Sequence, residues 1–169
     1  MKIIISLVAL LVFAVPFPAL PLPAEGKQLV GWLEKVRIYP GDLVIYAKLD
    51  TGAKYSSLNA SHLTEFMRNG EQWVRFKVTS RYGKTVTFER KVQRVVKIKR
   101  HGAMPQIRFA IRLGICLGGS YEEAEVNLVD RSDFNYQMLI GRSFLKDKVI
   151  IDPSLKYTTK PICKGISEK

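Results

Sequence analysis

Histidine is nearly missing from this sequence: His62 and His101 are the only two, they stand far apart, and neither belongs to a His-Glu-x-x-His pair. A hydrolytic zinc centre takes three or four His, Cys, Asp or Glu ligands in local pairs of that kind, so no metal is expected. A Gly-x-x-x-x-Gly-Lys-Ser/Thr phosphate loop is also lacking, and Gly118-Gly119-Ser120 does not make one, so no cofactor is expected. Ser56 and Ser57 have no histidine in a motif that would activate them, which argues against a serine nucleophile and favours turn or helix-start hydrogen bonds. Acid is scarce too: 15 aspartates and glutamates stand against 27 lysines and arginines, a formal charge of +12. That balance favours acidic partners, whether nucleic acid, anionic lipid or a cell-wall polymer. Only two cysteines, Cys116 and Cys163, are present, and they read equally as a bridge or as two buried thiols.

Long apolar runs are few. Lys2 precedes the uncharged stretch Ile3 to Val15, which leads to a Pro-rich exit ending near Ala24. A membrane span takes about 20 apolar residues, and this run is shorter. The layout is that of a secretory signal, with cleavage expected after Ala24 or, alternatively, an uncleaved N-terminal anchor. Residues 1–24 are therefore set apart from a single domain over 25–169, and the chain is expected to be exported to the periplasm of a bacterial envelope. Contact with a membrane is expected only if the N-terminal segment stays attached.

Past that segment the pattern is one of short alternations. Val30, Trp32 and Leu33 open a strand, Tyr39-Pro40-Gly41-Asp42 turns, and Leu43 to Leu49 is a second strand. Leu63, Phe66 and Met67 share a helical face within Asn59 to Arg68, and Asn69-Gly70 stops it, so one or two helical turns are expected there. Val74, Phe76 and Val78 alternate with Arg75, Lys77 and Thr79; Val86 and Phe88 resume the period after Arg81 to Lys84. Val92 to Ile98 continues as a strand, broken at His101 to Pro105. Ile107 to Leu113 and Ala124 to Leu128 are strands on either side of a Gly118-Gly119-Ser120 turn. Met138-Leu139-Ile140 is a short buried run, Ser143 to Lys148 a helical turn, and Val149 to Ile151 a last strand before Asp152-Pro153. Many short strands with turn signals every 8 to 12 residues indicate an all-β domain, closed or sandwiched.

The unusual residue is Asp50. An apolar strand delivers its carboxylate straight into the tight turn Asp50-Thr51-Gly52-Ala53. Peptide hydrolysis without a metal or a covalent nucleophile needs two carboxyls about 3 Å apart, which cannot both ionise and so share a proton. The chain has one Asp-Thr-Gly and no Asp-Ser-Gly. If Asp50 is catalytic, its partner is Asp50 of a second copy across a two-fold axis.

The ordered set Gly31-Trp32, Lys48 to Leu58, Trp73 to Phe76, Leu128-Val129-Asp130-Arg131, Met138 to Arg142 and Asp152-Pro153-Ser154 resembles the retropepsins. It resembles most the bacterial retropepsin-like family often labelled "ATP-dependent zinc protease". The likeness runs from roughly Leu29 to Tyr157. It implies a closed retropepsin-like β-barrel with one or two short helices, working as a homodimeric aspartic endopeptidase on a peptide or protein substrate. Asp50 would be the shared acid/base carboxylate and Thr51 would lock the two turns together across the dimer. Gly52 would permit the sharp turn and Ala53 would line the cleft. Ile140, Gly141 and Arg142 would form the segment crossing beneath the loop. The substrate flap is expected at His101, Gly102, Ala103 and Met104, with the turn at Tyr82-Gly83 as runner-up.

This sequence departs from viral retropepsins at Lys54, where those carry an acidic residue that pairs with the later arginine. Arg142 is therefore expected to find Asp130, Asp133 or Asp147 instead, and Lys54 to favour acidic substrates. The basic stretch Arg90 to Arg100, interleaved with Val92, Val95, Val96 and Ile98, has the composition of a nucleic-acid face. The secretory signal argues against that use, so no nucleic acid is expected. The alternative to a peptidase is a non-catalytic module on the same fold that binds an envelope polymer through its basic surface.

Overall fold

The computed structural model describes residues 26–100, 103–132 and 134–166. The expected signal segment therefore lies outside the described residues. Ten strands carry almost all of the regular structure: β1 (Gln28–Tyr39), β2 (Leu43–Leu49), β3 (Ser56–Asn59), β4 (Ser61–Arg68), β5 (Glu71–Thr79), β6 (Thr85–Arg100), β7 (Ala103–Leu117), β8 (Ser120–Val129), β9 (Met138–Ile140) and β10 (Val149–Lys156). One short helix, α1 (Arg142–Leu145), sits between β9 and β10, where a helical turn is expected. No helix among the described residues is long and apolar enough to cross a membrane.

The strand order is β10-β1-β2-β9-β3-β8-β7-β6-β5-β4, and an additional β1–β7 pairing closes the inner part on itself. Strands β1, β2, β9, β3, β8 and β7 thus form a closed six-stranded barrel, with β10 added on one flank and β6-β5-β4 on the other. Closure removes most free edges and lets one set of inward side chains fill the centre. Val36, Ile38, Leu43, Ile45, Leu58, Ile111, Leu113 and Met138 are among that filling, each essentially without solvent contact. The period-two stretches fold as expected: Val74, Phe76 and Val78 are buried while Arg75, Lys77 and Thr79 are exposed. Phe76 stacks on Phe88 of β6 with ring centroids 5.4 Å apart, which carries the core out into the flanking sheet.

Three local expectations are corrected. Residues 61–68 form strand β4, not helix. Leu63 and Met67 of the supposed helical face are exposed at 37% and 66%, so nothing covers that face, and pairing with β5 satisfies the backbone instead. Asn69 and Gly70 both take positive φ, 52° and 76°, so the pair is a two-residue hairpin turn rather than a helix stop. Ser56 and Ser57 stand in the buried strand β3, not in a turn or at a helix start. Strand β7 begins at Ala103 and runs through Pro105, so the expected break does not extend over Ala103 to Pro105.

The C-terminal segment is anchored twice, once where β7 pairs with β1 to close the barrel. Cys116 of β7 and Cys163 are joined by a disulfide, which resolves the two readings of the pair. Glu34 is buried without solvent contact and accepts five hydrogen bonds. They come from the Gly31 N–H at 2.8 Å, the Thr158 N–H at 2.9 Å and hydroxyl at 2.6 Å, and the Thr159 N–H and hydroxyl at 3.2 Å. A buried carboxylate survives when every lone pair is matched in this way. Gly31 has to be glycine for the same junction, because a Cβ there would lie 2.4 Å from the Leu155 carbonyl oxygen of β10.

Candidate active site

Asp50 is the residue just past β2, and its N–H continues the parallel β2–β9 ladder by donating to the Ile140 carbonyl at 2.9 Å. The chain then turns at once: the Ala53 N–H reaches back to the Asp50 carbonyl at 3.2 Å. Inside that turn the Gly52 N–H donates to Asp50 Oδ1 at 2.9 Å, and Lys48 Nζ stands 3.6 Å from Oδ2. Each carboxylate oxygen thus has one positive partner, and the side chain keeps 25% of its surface in solvent. An anion at a strand end, held by a backbone N–H and open to solvent, is placed to meet a ligand.

Strand β9 is the clamp. It runs parallel to β2 and antiparallel to β3, so it threads between the two strands that bracket the Asp50 turn. Past β9 the Arg142 N–H donates to the Ala53 carbonyl and the Ser143 N–H to the Lys54 carbonyl, both at 2.9 Å. The buried Ser56 hydroxyl accepts the Gly141 N–H at 3.2 Å. A Cβ on Gly141 would meet the Tyr55 carbonyl carbon at 2.6 Å, so only glycine lets the two backbones cross this closely. Ile140, Gly141 and Arg142 are thereby brought against Asp50, Thr51, Gly52 and Ala53.

Among the described residues, Arg142 takes no acidic partner. Its Nη1 donates to the Thr51 carbonyl at 2.7 Å, which ties the crossing segment to the turn without a carboxylate. Of the acids expected there, Asp147 makes ion pairs with Lys27 and Lys146. Asp130 accepts from the Ser132 N–H, and Asp133 lies outside the described residues. The Lys54 ammonium lies over the Tyr55 ring, 5.0 Å from its centroid, and the cation in ion-pair reach of Asp50 is Lys48.

A second cation near the site is Arg131, which nothing in the sequence singles out beyond its place in the Leu128 to Arg131 motif. It is half-buried: Nη1 donates to the Ser57 hydroxyl at 3.1 Å, Nε to the Tyr136 carbonyl at 3.4 Å, and the guanidinium covers the Phe134 ring at 4.3 Å. Burial and the neighbouring charge of Arg108 draw its pKa down, while the Asp50 carboxylate opposes them. Arg131 thus feels both the Arg108 guanidinium, on β7, and the Asp50 carboxylate.

Arg108 also connects the site to the β6–β7 hairpin. The two strands stay paired from Val92↔Ile111 out to Arg100↔Ala103. The expected flap residues His101 and Gly102, and the side chains of Ala103 and Met104, lie outside the described residues. The runner-up turn at Tyr82-Gly83 joins β5 to β6, and there the exposed Tyr82 hydroxyl bonds the Tyr46 hydroxyl of β2 at 2.8 Å. Among the described residues, no group of three or more His, Cys, Asp or Glu side chains is arranged to hold a metal ion.

The chain is similar to known proteins. The chain is 34% identical over 139 residues to a "Probable alpha-L-glutamate ligase" of Shewanella pealeana, covering 79% of this chain but 30% of that protein. A protein of the same description from Desulfotalea psychrophila is 33% identical over 144 residues, covering 82% of this chain and 31% of its own length. The chain thus spans about a third of the curated relatives it matches. A solved structure, the protein Lpg0085 of unknown function from Legionella pneumophila, superposes with a TM-score of 0.70 at 35% identity, covering 80% of this chain and 100% of the other. Residues 29–161 match the family described as retropepsin-like aspartic endopeptidase RimB, and the chain belongs to that RimB-like family.

Proposed function

We propose that the protein is an aspartic endopeptidase whose active site forms when two chains each contribute Asp50. The observation that carries this reading is the Asp50 turn itself. A quarter-exposed carboxylate is held by Gly52 and Lys48, is braced from beneath by β9, and has no carboxylate among its contacts in the described residues. In the assembled site one Asp50 is ionised and takes a proton from water as the water oxygen attacks the peptide carbonyl. The other Asp50 is protonated and delivers its proton to the departing amine nitrogen.

Two features support self-association. Strand β10 ends the sheet order, so its outer edge has no strand partner among the described residues. Beside it, a hollow of about 610 Å³ has an apolar floor of Leu145, Val149 and Ile151 beside Thr51. Lys27, Lys54, Arg142, Lys146 and Asp147 also line it, and Leu29 and Ile150 are more than half exposed nearby. A two-fold contact over this face would cover the edge and the apolar patch while bringing the two Thr51 residues together.

Lys48 at the carboxylate and Arg131, which lies in its field, favour acidic peptides, as Coulomb attraction raises their local concentration. Relatives described as alpha-L-glutamate ligases point the same way, toward glutamate-rich chains as substrate. Export fits the Cys116–Cys163 disulfide, which is characteristic of oxidising compartments. The test is hydrolysis of matched acidic and neutral peptide pools at mildly acidic pH. Cleavage is expected to favour the acidic pool and to fall to background in Asp50→Asn with the fold retained. Cleavage that survives Asp50→Asn would overturn the mechanism. If neither pool is cleaved and an anionic polymer binds regardless of residue 50, the protein is a basic binding module instead.

A further inference from the structure

A second concavity lies at the other end of the barrel. Strand β2 starts opposite Ile38 and ends at Asp50, so Tyr39 is separated from the Asp50 turn by the length of that strand, on the order of 20 Å at 3.3 Å per residue. There the end of β1, the first residues of β5 and β8, the middle of β6, Arg112 and Gly114 of β7 and the C-terminal segment line an open cavity of about 740 Å³. That volume is typical of small-molecule sites.

Its walls have a definite chemistry. Tyr39, Trp73 and Tyr121 supply flat aromatic surface, and Arg90, Lys91, Arg112 and Lys164 supply charge against the single carboxylate of Glu123. Lys91 is already engaged by Glu71. Arg90 and Arg112 are bonded to backbone carbonyls, of Glu89 and Glu123, and among the described residues neither has a carboxylate in ion-pair reach. Arg90 is half-buried, and burial draws its pKa down against the charge of Glu123. A guanidinium kept partly out of water without a counter-ion costs stability unless an anion meets it, and its planar fork matches a phosphate or carboxylate. Trp73 adds a buried indole N–H with no acceptor among the described residues.

One wall is held in place covalently. Lys164, Gly165 and Ile166 line the cavity immediately after Cys163, which is tied to Cys116 at the end of β7. Without the disulfide nothing covalent keeps Lys164 beside Arg90 and Arg112.

We propose that this cavity is a binding site, separate from the Asp50 centre, for a small organic anion: a phosphate or carboxylate head group carried on a flat ring. Arg90, Arg112 and Lys164 take the head group, and Tyr39, Trp73 and Tyr121 take the ring. The Cys116–Cys163 bond makes the site dependent on redox conditions.

The experiment is a titration of the oxidised full chain with phenyl phosphate, benzoate, inorganic phosphate and phenol. Binding is followed by calorimetry and by tryptophan emission. Saturable binding of phenyl phosphate or benzoate, tighter than that of inorganic phosphate or phenol, is the expected result, and the stronger of the two names the head group. Loss of one charge-assisted contact in Arg90→Ala or Arg112→Ala is expected to weaken binding about tenfold or more. Either variant suffices if the other fails to fold. Reduction of the disulfide is expected to weaken binding as well. The proposal is overturned if neither ring-bearing anion saturates, if phenol binds as tightly as phenyl phosphate, or if folded variants bind like the parent. Unchanged affinity after reduction would overturn the redox dependence.

Discussion

Single residues divide into those that declare themselves and those that do not. Asp50 does, because an aspartate at the end of an apolar strand and before Thr-Gly contradicts its surroundings. Glu34 does not. It sits among alternating residues of β1, and its partners Thr158 and Thr159 are more than a hundred positions away. Arg131 is similar, reaching Ser57 across 74 positions, so its place beside Asp50 emerges only once β3 and β8 are paired. Lys54 shows the converse: adjacency in sequence to the Asp50 turn puts its ammonium over Tyr55, while Lys48, two residues before Asp50 on the same strand, reaches the carboxylate. The Glu34 clasp makes a direct prediction. Glu34→Ala leaves buried N–H and hydroxyl donors without acceptors and is expected to cost about 3 kcal/mol of stability. Thermal or urea unfolding checks this, and an unchanged midpoint would show that the clasp contributes nothing.

At the scale of elements, the strands were readable wherever one face is buried and the other wet, as in β5, because burial imposes the period of two. Residues 61–68 misled because strand β4 is exposed on nearly every residue, so its apolar side chains record no burial pattern. The Asn69-Gly70 pair held the better signal there, since positive φ at both positions is what a tight hairpin asks for. The threading of β9 between β2 and β3 was not visible in spacing alone; it came from the family resemblance. Its tightest point is Gly141 against the Tyr55 carbonyl. Gly141→Ala is therefore expected to push β9 and the Asp50 turn apart. Peptidase activity should drop by about tenfold or more for a displacement of an ångström, even where circular dichroism shows the barrel intact. Activity equal to the parent would mean that the crossing does not position Asp50.

At the scale of the whole molecule, three carboxylates outside the site are held ionised further into acid than usual. Hydrogen bonds from Arg68 and Arg75 hold Glu89 below its ordinary range, and Ser154 and Ser132 do the same for Asp152 and Asp130. A carboxyl with a depressed folded pKa contributes stability above its unfolded pKa, and that contribution is lost as pH falls through the folded value. Thermal stability is thus expected to stay level from neutral to mildly acidic pH and to decline only within and below the ordinary carboxylate range. A decline beginning near neutrality would contradict this. Such a profile suits an enzyme that needs one of two aspartates protonated while its scaffold remains charged.

The central claim is that the site belongs to two chains, and mixing tests it most directly. Parent protein at a fixed concentration is titrated with Asp50→Asn protein, allowed to exchange, and assayed on an acidic peptide. If each site takes one Asp50 from each chain, the added variant captures parent chains in inactive pairs and the rate falls steadily as its proportion rises. A rate that stays constant while mixed pairs form would mean that a single chain holds a complete site.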